Sequence, residues 1–227
     1  MALIEKSTLH FLKNLKNNNQ REWFLDHKKE YDHAKENFIL FVDDLIKKIS
    51  AFDPSIAHHE AKKCVFRINR DIRFSKDKSP YKTNFGAHIT SALSKSDIHS
   101  KAGYYIHLEP GKSFLAGGAY LPATPWLKAI RQEIDYNTKK FKQIIENKNF
   151  KTYFGAIQGE KLVKAPKEYP KDHPEIELLK HKSFLAMHNI KDAEVLDKQF
   201  IQHSTKVFKA LFPLDAFLNE AQQNISE

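Results

Sequence analysis

Apolar residues change their spacing twice along this chain of 227 residues. Through 7–52, apolar and aromatic positions recur in steps of three and four: Leu9, Phe11, Leu12 and Leu15, then Trp23, Phe24, His27 and Tyr31, then Phe38, Phe41, Val42, Leu45, Ile46 and Ile49. Between 62 and 122 they alternate, and from 124 onward the longer steps return. A period near 3.6 lines one face of a helix, whereas a period of two lines one face of a strand. Helices at both ends with strands clustered between them predict an α+β fold. The expected organisation is a single domain over 1–227 with a central, mostly antiparallel sheet. Its parts would be a helical N-terminal part (7–52), a strand-rich middle (62–122) and a helical C-terminal part (124–223). The hydrophobic content of 41%, with 17 Phe, argues for a folded globule with a substantial core.

Local signals set the expected boundaries. Ser7 is placed to cap the first helix, Asn17-Asn18-Asn19 to end it, and Asp53-Pro54 to stop the third. In 64–74, Cys64, Phe66, Ile68, Ile72 and Phe74 share one face of a predicted strand, interrupted by Arg70, with Arg67, Asn69, Asp71 and Arg73 opposite. A second strand is predicted over 85–93, and a hairpin over 103–109 and 112–120 closed by Pro110-Gly111. Gly117-Gly118 permits a close backbone approach or marks a bulge. Thr124-Pro125 opens a helix through Trp126, Leu127, Ile130 and Ile134, and another follows around Phe141. Beyond the Lys/Pro-rich stretch 164–171, helices are predicted at 175–181, 192–211 and 213–222.

Composition narrows the setting. A single cysteine, Cys64, excludes an internal disulfide framework and fits a reducing compartment. No stretch reaches membrane-spanning length, and residues 1–8 lack an apolar run with a cleavage site, so a soluble cytoplasmic protein without a membrane partner is expected. The formal net charge of +9 is unevenly spread. Residues 62–82 hold eight basic and two acidic side chains, and 139–171 form a second basic segment, solvated surface being an equal reading of the latter.

Only five of the 37 basic residues are arginine, yet three fall at 67, 70 and 73. Arginine supplies a permanently charged planar fork suited to carboxylate or phosphate, which lysine lacks. Arg67, Arg70, Asp71, Arg73, Ser75, Lys76, Lys78, Tyr81 and Lys82 therefore form a candidate site for a phosphate-bearing ligand, a nucleotide or nucleic acid. Asp71 would hold one guanidinium while another faces the ligand, and Tyr81 would stack or hydrogen-bond beside it. Arg70, on the apolar side, needs a buried carboxylate partner or a bend in the strand. The same residues could instead be a structural salt-bridge network that makes the protein an interaction module.

A second cluster lies in the hairpin, where Tyr105, His107 and Glu109 share a strand face. His107 as acid/base with Glu109 orienting it would suit an enzyme acting on a phosphorylated small molecule. That face is expected beside the 67–82 segment, lining one concave surface. A polar sheet face without chemistry is the plainer alternative. The chain has no Walker loop, dinucleotide glycine fingerprint or nucleophile elbow. His58-His59-Glu60 does not match a metal-ligand spacing, so neither metal nor cofactor is expected.

The run Arg67-Ile-Asn-Arg70-Asp71-Ile-Arg73-Phe74-Ser-Lys-Asp-Lys78-Ser-Pro80-Tyr81-Lys82 resembles the hallmark of domain-of-unknown-function family twenty-four sixty-one, a largely bacterial family. The resemblance extends to Asn18 with Trp23-Phe24 and Tyr31, to Tyr105-x-His107-x-Glu109-Pro-Gly, to Gly117-Gly118 with Pro122, and to Lys164-x-Pro-Lys-x-Tyr169. Glu168 departs from it, since relatives usually carry glycine before that tyrosine. The family name implies no activity.

Overall fold

The computed structural model describes residues 2–73, 76–92 and 99–223. Four helices come first: α1 (Lys6–Asn17), α2 (Arg21–Asp26), α3 (Lys28–Ile49) and the single turn α4 (Ala61–Cys64). Strands β1 (Phe85–Thr90), β2 (Gly103–Leu108) and β3 (Ser113–Ala119) follow. Then come α5 (Thr124–Tyr136), α6 (Thr138–Ile145), α7 (Lys148–Phe154), α8 (Ile176–Leu179), β4 (Phe184–Ile190), α9 (Asp192–Val195) and α10 (Phe200–Gln223). The strands form one antiparallel sheet in the order β1-β2-β3-β4, so the fold is α+β as expected. Among the described residues, no helix is long and apolar enough to cross a membrane.

Packing divides the chain into two compact units, each assembled from several segments. The first comprises 1–89, 105–115 and 189–206. Its helices α1 and α3 bury Phe11, Leu12 and Leu15 with Phe38, Phe41, Val42 and Leu45, all at most 1% exposed. Phe85 stacks on Phe38 at 5.6 Å, fixing the start of β1 to α3. The buried Asn37 carbonyl oxygen accepts from Thr8 Oγ1 at 2.7 Å and from the Glu5 amide at 3.0 Å, so α1 is joined to α3 by polar contacts as well. The second unit comprises 90–104, 116–188 and 207–227. There Trp126 of α5 donates its indole N–H to Leu218 O at 2.9 Å, and Phe141 of α6 packs on Phe217 at 5.2 Å.

Several boundaries differ from the sequence reading. The helix cap lies at Glu5, and Ser7 donates to its carboxylate from inside α1. No continuous strand covers 64–74: Cys64 ends α4, and pairing is confined to antiparallel bridges at Val65↔Ala87 and Asn69↔Tyr81. Phe74 and Ser75 lie outside the described residues, as does Leu93 at the expected end of β1. β4 falls within a stretch read as helical. Pro213, expected to separate two helices, sits inside α10. A mid-helix proline costs about 3 kcal/mol, but Leu211, Leu214, Phe217 and Leu218 around it are fully or almost fully buried. Burial of such side chains contributes roughly 1.5–3 kcal/mol each, enough to keep the helix whole.

The hairpin is as the sequence predicts. Lys112 N–H donates to Glu109 O at 2.9 Å, and Gly111 takes φ 75° behind Pro110. Proline at the first central position and a positive φ at the second define a type II turn. Gly118 has φ 105°, and a Cβ there would meet Phe184 O at 2.0 Å, so the paired glycines serve close backbone approach between β3 and β4.

Candidate functional site

The described residues named from the sequence lie in the first unit, around the bridge ladder beside β1. Phe66 N–H donates to Gly86 O at 2.9 Å, Lys82 N–H to Ile68 O at 2.8 Å, and Arg70 N–H to Pro80 O at 2.9 Å. The chain takes four steps from Val65 to Asn69 but six from Tyr81 to Ala87 across the same two bridges. The longer side therefore carries surplus residues, which bulge and change which way side chains point. Thr83 and Asn84 fall in that bulge, and Lys82 stands at its edge, still paired with Ile68.

Each of the three makes a different contact. Lys82 Nζ donates to Arg67 O at 3.0 Å and lies 5.4 Å from the centre of the Phe66 ring. Thr83 Oγ1 donates to Glu109 Oε1 at 3.2 Å. Asn84 Nδ2 approaches His107 Nδ1 at 3.4 Å. The strand face of β2 and its turn thus receives side chains from the bulge, as alternation places Tyr105, His107 and Glu109 together and buries Tyr104, Ile106 and Leu108 on the other side.

His107 is the centre of this network. Its Nε2 is 3.2 Å from Glu109 Oε2, and its Nδ1 is 3.1 Å from Tyr105 Oη. A carboxylate only accepts, so Nε2 carries the proton, and Nδ1 accepts from the tyrosine hydroxyl and the Asn84 amide. Phe114 of β3 stacks on the imidazole at 4.5 Å and 11°. Side-chain exposures of 15% for His107 and 16% for Glu109 leave the pair mostly removed from water. Burial lowers the His107 pKa below its ordinary value, and the hydrogen bond and charge of Glu109 oppose this less strongly. Burial also pushes the Tyr105 hydroxyl up to about 12. Gly86 makes room for that hydroxyl: a Cβ would meet Tyr105 Oη at 2.7 Å.

The arginine cluster divides. Arg70 pairs with Asp77 and also donates to Ser79 Oγ at 2.8 Å, but the carboxylate is an exposed residue of the same loop and not the buried partner expected. Asp71 accepts from Arg73 Nε at 3.0 Å and Nη2 at 2.7 Å, a bidentate pair on the surface. Hydrogen bonds from Arg73 to Asp71, and from Ser79 above all and then Arg70 to Asp77, hold both carboxyls down at about 2. Lys78 donates to Ile72 O at 2.9 Å. The side chain of Arg67 makes no hydrogen bond or ion pair among the described residues. It is exposed and close enough that its charge lowers the Lys82 pKa, after desolvation, the larger cause.

Tyr81, expected to stand beside a ligand, instead belongs to the core. It is 7% exposed and its ring stacks on Phe24 at 4.0 Å. Asn19 clamps its backbone, donating to Tyr81 O at 2.9 Å and accepting from Tyr81 N at 3.1 Å. The buried ring has no free face to offer.

Sequence reading missed Phe66, Thr83, Asn84, Gly86 and Phe114 as neighbours of the site. Phe66 lies 6.3 Å from Tyr105, ring to ring, and so connects the Arg67–Lys82 cations to the His107 network. Thr83 and Asn84 carried one usable signal, since polar residues directly before a strand fall opposite the end of its hairpin-like neighbour.

A family model described as conserved hypothetical protein (DUF2461) matches residues 7–217. No curated protein and no solved structure matches the chain.

Proposed function

The chain belongs to the DUF2461 family, and on that footing we propose that it binds a phosphate-bearing ligand of nucleotide size through Arg67 and Lys82. One observation carries the reading: Lys82 is partly desolvated and stands close enough to Arg67 that the neighbouring charge adds to the cost of its own. An anion between them relieves both costs. Arg67 supplies the fork and Lys82 a point charge. Arg70, Asp71, Arg73 and Lys78 shape the adjoining loop in this reading: the two arginines are paired with aspartates, and Lys78 reaches back to Ile72 O.

Calorimetry with pyrophosphate and ADP at low ionic strength tests the proposal. Saturable binding that weakens at least about tenfold in Arg67→Ala and in Lys82→Ala, the loss of one charge-assisted contact, supports it. Absence of binding to either probe removes it. Binding of single-stranded nucleic acid without binding of ADP would turn the reading toward a polynucleotide.

The His107 network favours a second reading, proton transfer on a phosphorylated small molecule. Glu109 fixes the imidazole tautomer, and burial keeps His107 neutral and able to accept a proton. Both ring nitrogens are occupied, so a substrate would displace Asn84 from the longest contact or take its proton relay through the Tyr105 hydroxyl. Turnover of phosphomonoesters that falls by about 100-fold or more in Glu109→Gln supports this role. Equal rates in both proteins exclude it.

A further inference from the structure

In the second unit, α5 and the segment around 168–169 enclose a cleft of about 320 Å³ lined by Lys128, Arg131, Asp135, Tyr136, Glu168 and Tyr169. That volume lies in the range of small-molecule sites. Arg131 is the unusual member, an arginine residue only 7% exposed. It donates from Nε to Leu179 O at 2.7 Å and from Nη2 to His181 O at 3.0 Å. Two backbone carbonyls therefore hold the plane of the fork while its remaining N–H groups, those of Nη1 and the second of Nη2, have no acceptor among the described residues. Burial lowers the Arg131 pKa, and the charges of Glu168 and Tyr169 only partly offset this.

Neither acid of the cleft serves as its direct counter-ion. Glu168 pairs with Lys128 at 3.4 Å, and Asp135 accepts from His173 Nε2 at 2.9 Å. A desolvated, oriented cation with donors to spare is matched by a carboxylate, whose two oxygens fit the fork. Tyr136 is 74% exposed at the rim of the cleft, so its ring is open to a flat partner. We propose that this cleft is a ligand site, separate from the Arg67–Lys82 pair, for a small organic monocarboxylate with a planar body. The carboxylate takes the open edge of Arg131, and the planar body lies against Tyr136 and Tyr169.

Benzoate is the probe, with benzyl alcohol as its uncharged counterpart, titrated into the full chain and followed by amide NMR shifts. Benzoate is expected to saturate shifts in 128–136 and 168–169, and benzyl alcohol to leave them unmoved. Arg131→Met tests the fork directly but removes the support of two carbonyls, so two exposed positions provide variants that fold. Tyr136→Ala should weaken benzoate about fivefold, the size of one ring contact. Glu168→Gln should tighten it about threefold by removing a nearby like charge. The absence of a saturable response, equal binding of benzyl alcohol, or an affinity unchanged in both variants overturns the assignment.

Discussion

His88 on β1 shows what one buried side chain does to the pH response of the molecule. It is 7% exposed, and burial, aided by the charge of His59, lowers its pKa from 6.5 to about 4. An unfolded chain takes up this proton near pH 6.5, whereas the native state resists until about pH 4. The unfolded state therefore binds more protons between those values, so the stabilisation is complete above pH 6.5 and is lost as the pH falls toward 4. Between pH 7 and pH 5 the loss from this group is about 2 kcal/mol, and because His181 is likewise lowered to about 4, His88→Gln should reduce the fall in urea midpoint without abolishing it. Asp71 and Asp77 stay ionised down to about 2, so they contribute nothing to that window. Equal midpoints at pH 7 and pH 5 in the native sequence would contradict this account. Gly86 is the second telling residue. Gly86→Ala places a methyl against Tyr105 Oη, so the tyrosine must leave His107 Nδ1. The expected result is an altered imidazole titration by ¹⁵N NMR at a stability cost of about 1–2 kcal/mol. An unchanged titration would mean that the Tyr105 bond does not govern His107.

At the scale of elements, the loop from Asn69 to Tyr81 is locked by its own charges, and the bulge after it carries the contacts to the sheet. Asp77 accepts from the Ser79 amide at 2.9 Å and from its hydroxyl at 2.6 Å, a local turn that places the carboxylate against Arg70. Asp71 and Arg73 form their pair two residues apart. Both pairs are solvent-exposed, and exposed pairs add little to stability. Asp71→Asn and Asp77→Asn should therefore leave the unfolding midpoint nearly unchanged. Each removes a carboxylate charge beside a guanidinium, so pyrophosphate should bind more tightly in both, measured by the same calorimetry. A midpoint that falls with no gain in binding would make the pairs a structural lock and nothing more. Gly111 makes a separate point about the hairpin. Nothing lies within 4 Å of a Cβ built there, so Gly111→Ala tests the positive φ alone and should cost about 1 kcal/mol in denaturant unfolding.

For the whole molecule, the net charge of +9 suggests a polyanion partner, but charge that is already paired does not release counter-ions. Five contacting cations at 67, 70, 73, 78 and 82 would give a log–log salt slope of roughly −3 to −4 for single strands. With Arg70 and Arg73 held by aspartates, three remain, and the slope should be about −2.1. Fluorescence anisotropy of a labelled oligonucleotide across a salt series measures it. A slope near −4 would show that the loop opens to release its arginines, and the second basic segment would be tested by repeating the series with its lysines replaced.

The sequence by itself determined the α+β class, the helical first quarter, the type II hairpin and the shared face of Tyr105, His107 and Glu109. These follow from local rules, the periods 3.6 and 2 and the backbone limits of proline and glycine, which act over a few residues. It also pointed to Arg67 and Lys82 through charge density and the choice of arginine. What it did not determine depends on partners far along the chain. The alternation in 64–74 resembles a strand, yet the surplus residues across the ladder are visible only when Val65 finds Ala87 and Asn69 finds Tyr81. Tyr81 belongs to the core because Phe24 and Asn19 lie next to it, a contact spanning more than half of the first hundred positions. β4 was hidden because its last residues before Ile190 are polar, so its strand character depends on a neighbour in the sheet. Which arginine is paired and which is free was likewise a tertiary matter: a guanidinium's partner is fixed by distance in space, and composition carries no distances.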